Sequence, residues 1–153
     1  IRQCPSPNCD TRPEGMAVDT VVLHATVFDT LGQVVEHFAN PDAQVSAHYT
    51  IDRDGVVVQH VPEGLRAWHA GQSRMADGRE RVNDFSIGVE LVNLNDGVDL
   101  FPPAQLEAMR ALVRSIRSRH PIAHIVPHYG CAYPPGRKSD PAGFTAEWID
   151  GLL

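Results

Sequence analysis

Ser86–Val92 reads SIGVELV and decides the architecture. Ile87, Val89 and Leu91 alternate with Gly88 and Glu90, the period of two that marks a strand with one apolar face. The opposite face carries a glycine and a carboxylate. The missing side chain at Gly88 leaves room above the sheet beside Glu90.

Working outward, Val21–Leu23 is a short apolar run that reads as a buried strand, with His24 at its end. Leu31, Val34, Val35 and Phe38 fall at i, i+3, i+4 and i+7, an amphipathic helix stopped by Asn40-Pro41. Residues 46–61 read as a hairpin: Tyr49 and Ile51 alternate with polar neighbours, Asp54-Gly55 turns, and Val56–Val58 returns. Residues 71–85 (GQSRMADGRERVNDF) form a long polar loop, a kind that is often functional. Beyond the deciding strand, Leu106, Met109, Leu112, Val113 and Ile116 draw the stripe of a second helix, entered through Pro102-Pro103 and ended by Pro121. Ile125-Val126 predicts a short strand leading to His128. YGCAYPPGRKSDPAG reads as a loop and Phe144–Leu153 as a last short helix. This order predicts an α/β fold of the mixed α+β kind, a central mixed sheet flanked by helices on both faces. Residues 1–18, polar and holding three prolines, read as an extended N-terminal arm lying on the domain.

The 153 residues suit a single domain over 1–153. A chain of this size buries roughly 70% of its unfolded surface, so it needs no metal or disulfide merely to fold. No apolar run exceeds three residues, which excludes a transmembrane helix. No basic segment followed by an apolar one opens the chain, so no signal peptide is expected, and the start at Ile1 reads as processed or trimmed. The net charge of −6 argues against a nucleic-acid partner. Eight histidines, with 12 glycines and 12 prolines, point to a loop-rich fold whose chemistry rests on imidazole. The three cysteines include no CxxC and leave the redox state open.

No GxSxG supports a serine hydrolase. Cys131 lies three residues after His128, but every histidine precedes it, so a loop thiol is the favoured reading. His120, His124 and His128 are spaced by four, yet Pro121 and Pro127 preclude a continuous helix. His120 reads as the end of the second helix, where a cation suits the dipole. A catalytic zinc needs three ligands and an open position. His24 and His128 sit after strands and Asp140 in a loop that can fold back. Spacing alone leaves this trio in competition with three unrelated polar residues.

VVLHAT, SAHYTIDRDG, RAWHAG, NDFSIGVELVN, VPHYG and GRKSDPAGF occur in an order that resembles the zinc-dependent N-acetylmuramoyl-L-alanine amidases of the type-2 group. These are related in fold to peptidoglycan recognition proteins and to amidase-type phage lysozymes. The resemblance runs from about Cys4 to Phe144, and CPSPNCDTRP resembles the arm of the cell-wall recycling and outer-membrane amidases. It implies one zinc per chain, held by His24, His128 and Asp140. It implies Glu90 as catalytic carboxylate, Lys138 as catalytic cation, and hydrolysis of the amide between N-acetylmuramic acid and L-alanine. Two imidazoles and one carboxylate leave zinc a net positive charge that acidifies its water. Glu90 can take a proton and pass it to the leaving amine. Lys138 and Asp140, two apart, point the same way about 7 Å apart in extended chain, so Lys138 can meet an oxyanion.

The resemblance places Trp68 and His69 beside the cleft, as a stacking surface and a donor for substrate. Arg81, Asn83 and Arg137 are further substrate-binding candidates, because arginines suit the carboxylates of a peptide stem. His48 and His60 read as hairpin histidines without a role. Ala47 stands where some phage lysozymes have tyrosine, and Asp140 where they use cysteine, so Cys131 has no metal role. The implied partner is peptidoglycan or a muropeptide, met by a monomer without membrane span. The expected place is the cell envelope, or a secreted or phage-derived lytic setting as for an endolysin, with cytoplasmic muropeptide recycling as the alternative. The short stretch between His24 and the hairpin implies an open cleft and favours whole wall as substrate. The rivals are a non-catalytic binding module of the same fold and a zinc hydrolase of another amide.

Overall fold

A computed structural model describes residues 1–152. Its eight strands are β1 (Arg2–Gln3), β2 (Cys9–Thr11), β3 (Thr20–Ala25), β4 (Tyr49–Ile51), β5 (Val57–Gln59), β6 (Leu65–Ala67), β7 (Ser86–Leu91) and β8 (His124–Pro127). Four helices accompany them: α1 (Leu31–Ala39), α2 (Pro103–Arg119), α3 (His128–Cys131) and α4 (Ala146–Asp150). Six strands form one mixed sheet in the order β1-β5-β4-β7-β3-β8. β3 runs parallel to both β7 and β8, β4 runs parallel to β7, and β4–β5 is the antiparallel hairpin.

The pleat sorts the side chains. Val21 and Leu23 of β3, Ile87, Val89 and Leu91 of β7, and Tyr49 and Ile51 of β4 enter one buried cluster with Met109, Leu112, Val113 and Ile116 of α2. Phe101, Phe144 and Ile149 close its far end. The opposite face is mostly polar near the middle of the sheet and carries the candidate site. It is covered by Val34 and Phe38 of α1 with Ala47 and Val92, and by Met75, Val82, Phe85 and Cys131 over Val22. Helices therefore flank both faces, as the alternation predicts.

α1 starts where a reciprocal cap forms. The Thr30 hydroxyl accepts from the Gln33 N–H, and the Gln33 side chain accepts from the Thr30 N–H. α2 opens on Pro103, whose missing N–H costs nothing in the first turn. Its buried stripe begins at Gln105 rather than at the expected Leu106. The Gln105 amide donates to the carbonyls of Ile51 and Val92, which ties α2 to the sheet.

The N-terminal segment is more than an arm on the surface. β1 adds to the main sheet beside β5, and β2 pairs with β6 in a second, two-stranded sheet. Arg12 clamps it down, donating to the carbonyls of Glu63, Asn83, Asp84 and Ser86. The polar loop 71–85 ends in a 3-10 turn, Val82–Phe85, and the stretch after His128 begins with the short α3.

Candidate active site

Register brings the first two residues together. His24 of β3 lies directly opposite Glu90 of β7 on the same face of parallel neighbours. β8 runs on the other side of β3 and ends at Pro127, so His128, the first residue of α3, emerges beside His24. The Tyr129 N–H donates to the main-chain carbonyl of Asp140 at 3.0 Å, which folds the last loop back against α3.

His24, His128 and Asp140 are all buried, and one ligand atom of each lies within 4.8 Å of the others. Nδ1 of His128 is 3.0 Å and 3.1 Å from the two Asp140 oxygens, and Nδ1 of His24 is 3.3 Å from Oδ2. The other nitrogen of each ring is held from behind. Nε2 of His128 lies 3.1 Å from the Ala70 carbonyl, and Nε2 of His24 lies 2.9 Å from Nδ1 of His69. Two imidazoles offering Nδ1 toward one carboxylate, each backed at Nε2, fit zinc by donor type and by outer support. His120 and His124 take no part. His120 caps α2 and its Nε2 lies 2.8 Å from Glu63, whereas His124 opens β8.

The electrostatics favour a neutral His24 ring. Burial lowers the His24 pKa to about 4, against the opposing pull of Asp140. Burial works to raise Asp140, but its close contact with the His128 and His24 rings holds it well below the ordinary range. Glu90 is the reverse case. Its Oε2 is sealed from solvent with no hydrogen-bond partner among the described residues, and burial, then the Asp140 charge, pushes the carboxyl up to about 8, with Lys138 opposing.

The cleft above these groups has two lobes. One, of about 160 Å³, is lined by His24, Glu90, His128, Lys138 and Asp140 and runs out to Val27, Phe28, His37 and Val45. The second, of about 240 Å³, is lined by Gln44, Trp68, Asn83, Arg137 and Lys138. Lys138 is exposed and borders both lobes.

Residues 14–143 match the family described as N-acetylmuramoyl-L-alanine amidase. The chain belongs to the N-acetylmuramoyl-L-alanine amidase family. It is 35% identical over 166 residues to the 1,6-anhydro-N-acetylmuramyl-L-alanine amidase AmpD of Salmonella typhimurium, covering 96% of this chain and 86% of that protein. The crystal structure of a selenomethionine AmpD derivative superposes with a TM-score of 0.86 at 34% identity, over 100% of this chain and 94% of the other. The amidase AmiD from E. coli, solved with anhydro-N-acetylmuramic acid-L-Ala-D-gamma-Glu-L-Lys, gives 0.77 at 30% identity, over 92% of this chain and 60% of AmiD.

Within the amidase cleft the other candidates differ in their freedom. Trp68 is partly buried at the second lobe. Arg81 has an exposed side chain that pairs with Asp84. Arg137 donates to the carbonyls of Tyr133, Ala70 and Gln72, so its guanidinium ties down its own loop. The Asn83 side-chain oxygen accepts from the N–H groups of His69 and Ala70. His69 is buried with both ring nitrogens engaged, to His24 and to Ser86, which leaves neither for a substrate carbonyl. His48 and His60 are also bonded internally. His48 accepts from the Gly88 N–H and His60 pairs with the Thr50 hydroxyl. All three cysteines are free thiols, and burial pushes Cys131 up to about 12.

Proposed function

We propose that the amidase hydrolyses the amide between the lactyl group of N-acetylmuramic acid and L-alanine, with His24, His128 and Asp140 holding one zinc ion. The observation that carries this reading is the sealed, unpartnered Glu90 oxygen on the strand next to His24. A binding module of the same fold has no use for such an acid, and the three metal-binding side chains are all present.

A zinc ion held by His24, His128 and Asp140 would supply Lewis acidity and make water a better nucleophile near neutral pH. In its ionised form Glu90 receives the proton lost as water adds to the carbonyl carbon. It returns that proton to the amide nitrogen as the C–N bond breaks, freeing the amino group of L-alanine and the lactyl carboxylate. Lys138, on the rim of both lobes, offers its ammonium to the negative oxygen of the tetrahedral state. Trp68 offers an apolar face to the substrate, and Asn83 and Arg137 shape the same lobe. Arg81 is the freer guanidinium for a stem carboxylate.

The AmpD relatives, named for a 1,6-anhydro substrate, cover nearly all of this chain. That supports a released anhydro-muropeptide over intact wall, against the preference drawn from the short approach to the cleft. Among the described residues no helix is long and apolar enough to cross a membrane. We read the amidase as a single domain and a monomer that serves recycling of wall fragments rather than lysis.

Parallel digests of a 1,6-anhydro-muropeptide and of purified murein test this. Peptides beginning with L-alanine, without new reducing ends, are expected, and the soluble substrate should react faster. New reducing ends, or peptides lacking N-terminal L-alanine, would overturn the amidase assignment. Cleavage of murein alone would overturn the substrate choice.

A further inference from the structure

In an imidazole ligand, the hydrogen on one nitrogen decides which nitrogen is left for a metal. For His128 the backing group is the Ala70 carbonyl, which only accepts, so Nε2 carries the hydrogen and Nδ1 is free. For His24 the backing group is the side chain of the preceding residue, His69, at 2.9 Å. Adjacent residues thus back both ligand histidines. The Asn83 oxygen holds this pair in place by accepting from both N–H groups, at 3.2 Å and 2.9 Å.

The His69 ring fits its site closely. Its Nε2 lies 3.1 Å from Ser86 Oγ. A Cβ at position 88 would stand 2.5 Å from His69 Cγ, so the glycine in SIGVEL makes room for this imidazole. When Nε2 of His69 donates to Ser86, its Nδ1 can only accept. His24 must then carry its hydrogen on Nε2, and its Nδ1 lone pair faces Asp140 and His128.

We propose that His69 is a positioning residue that, anchored by Ser86 and accommodated by Gly88, holds His24 in the tautomer that presents Nδ1 to the metal. The proposal rests on the zinc reading above. It assigns His69 to the rear of the metal site rather than to substrate.

The test is zinc affinity, measured by competition with a chromophoric chelator, in variants checked for folding by circular dichroism. His69→Phe should bind zinc about 10–100-fold more weakly, the range for lost outer partners of metal ligands. His69→Asn, whose Oδ1 can stand where Nδ1 stood, should recover most of that loss, and Ser86→Ala should weaken binding less than His69→Phe. Nitrogen NMR of the zinc-loaded protein should show His24 metallated at Nδ1 and protonated at Nε2. Unchanged affinity in a folded His69→Phe, or metal on Nε2 of His24, would overturn the proposal. If His69→Phe does not fold, Ser86→Ala and the NMR spectrum decide. Zinc binding that survives in His24→Ala would overturn the metal reading itself, a distinct result.

Discussion

A carboxyl group sealed from water and given no donor keeps its proton to higher pH than an exposed one. Half-buried Glu90 has one oxygen so placed, Oε2, beside the buried imidazole of His24. Glu90→Gln preserves shape and removes the proton carrier, so the variant should keep its zinc and lose about 10²–10⁴-fold in turnover. Metal analysis alongside kinetics checks this, and loss of zinc would make Glu90 a ligand instead. Cys131 sits three residues from His128, but its thiol is buried and its pKa lies far above neutrality, so little thiolate exists. Cys131→Ser should retain most activity. Inhibition by a thiol alkylator that the variant escapes would contradict that. At this scale the alternation of β7 placed Glu90 on the face away from the apolar core, while its role was implied only by the ordered motifs. The metal trio was legible only through ordered motifs, since its members lie on β3, α3 and a loop. The place of His69 was not legible, because its partners His24 and Ser86 are 45 and 17 residues away.

Elements are joined here by a few partly buried polar groups. Glu63 receives the Tyr49 hydroxyl of β4 at 2.7 Å, the Arg119 guanidinium at the end of α2 at 2.7 Å, and the His120 ring at 2.8 Å. Burial works to raise the Glu63 pKa, yet these three partners win and lower it from 4.5 to about 2. A carboxylate depressed on folding stabilises the native state above its unfolded pKa, and that contribution fades as pH falls from about 4.5 toward 2. A shift of this size corresponds to about 3 kcal/mol. Glu63→Gln should therefore lower stability at pH 7 and flatten its acid dependence in that window, as denaturant melts at several pH values would show. Parallel curves for the two proteins between pH 5 and 2 would rule this out. α1, the 46–61 hairpin, β7 and α2 were legible because periodicity and turn residues agree in each. β6 and the two strands of the N-terminal segment were not, because they are short and pair with partners far along the chain, with no turn pair to mark them. Their position depends on distant partners, such as Arg12 donating to the carbonyls of Glu63 and Ser86.

For the whole molecule, the order of strands across the sheet was the least legible feature. Nothing local tells β3 to lie between β7 and β8; buried strands pair by shape and hydrogen bonds that the chain writes far apart. That order is what gathers the three candidate metal ligands. His24 comes from β3, one strand in from the edge, His128 from beyond the edge strand β8, and Asp140 from a loop returning after α3. An ion held by all three binds the folded chain and not the unfolded one, so it stabilises by mass action. Zinc at about 1,000 times its dissociation constant adds roughly 4 kcal/mol. For a chain of this length each kcal/mol moves the melting temperature by roughly 2–4 °C. Chelation should thus lower the melting temperature by roughly 8–16 °C, and added zinc should restore it. Glu90→Gln should show the same zinc-dependent shift, because Glu90 stands beside the site without holding the metal. His24→Ala should melt alike with and without zinc. A wild-type melting temperature that ignores both chelator and zinc would mean that the three buried side chains pair with one another and bind no ion.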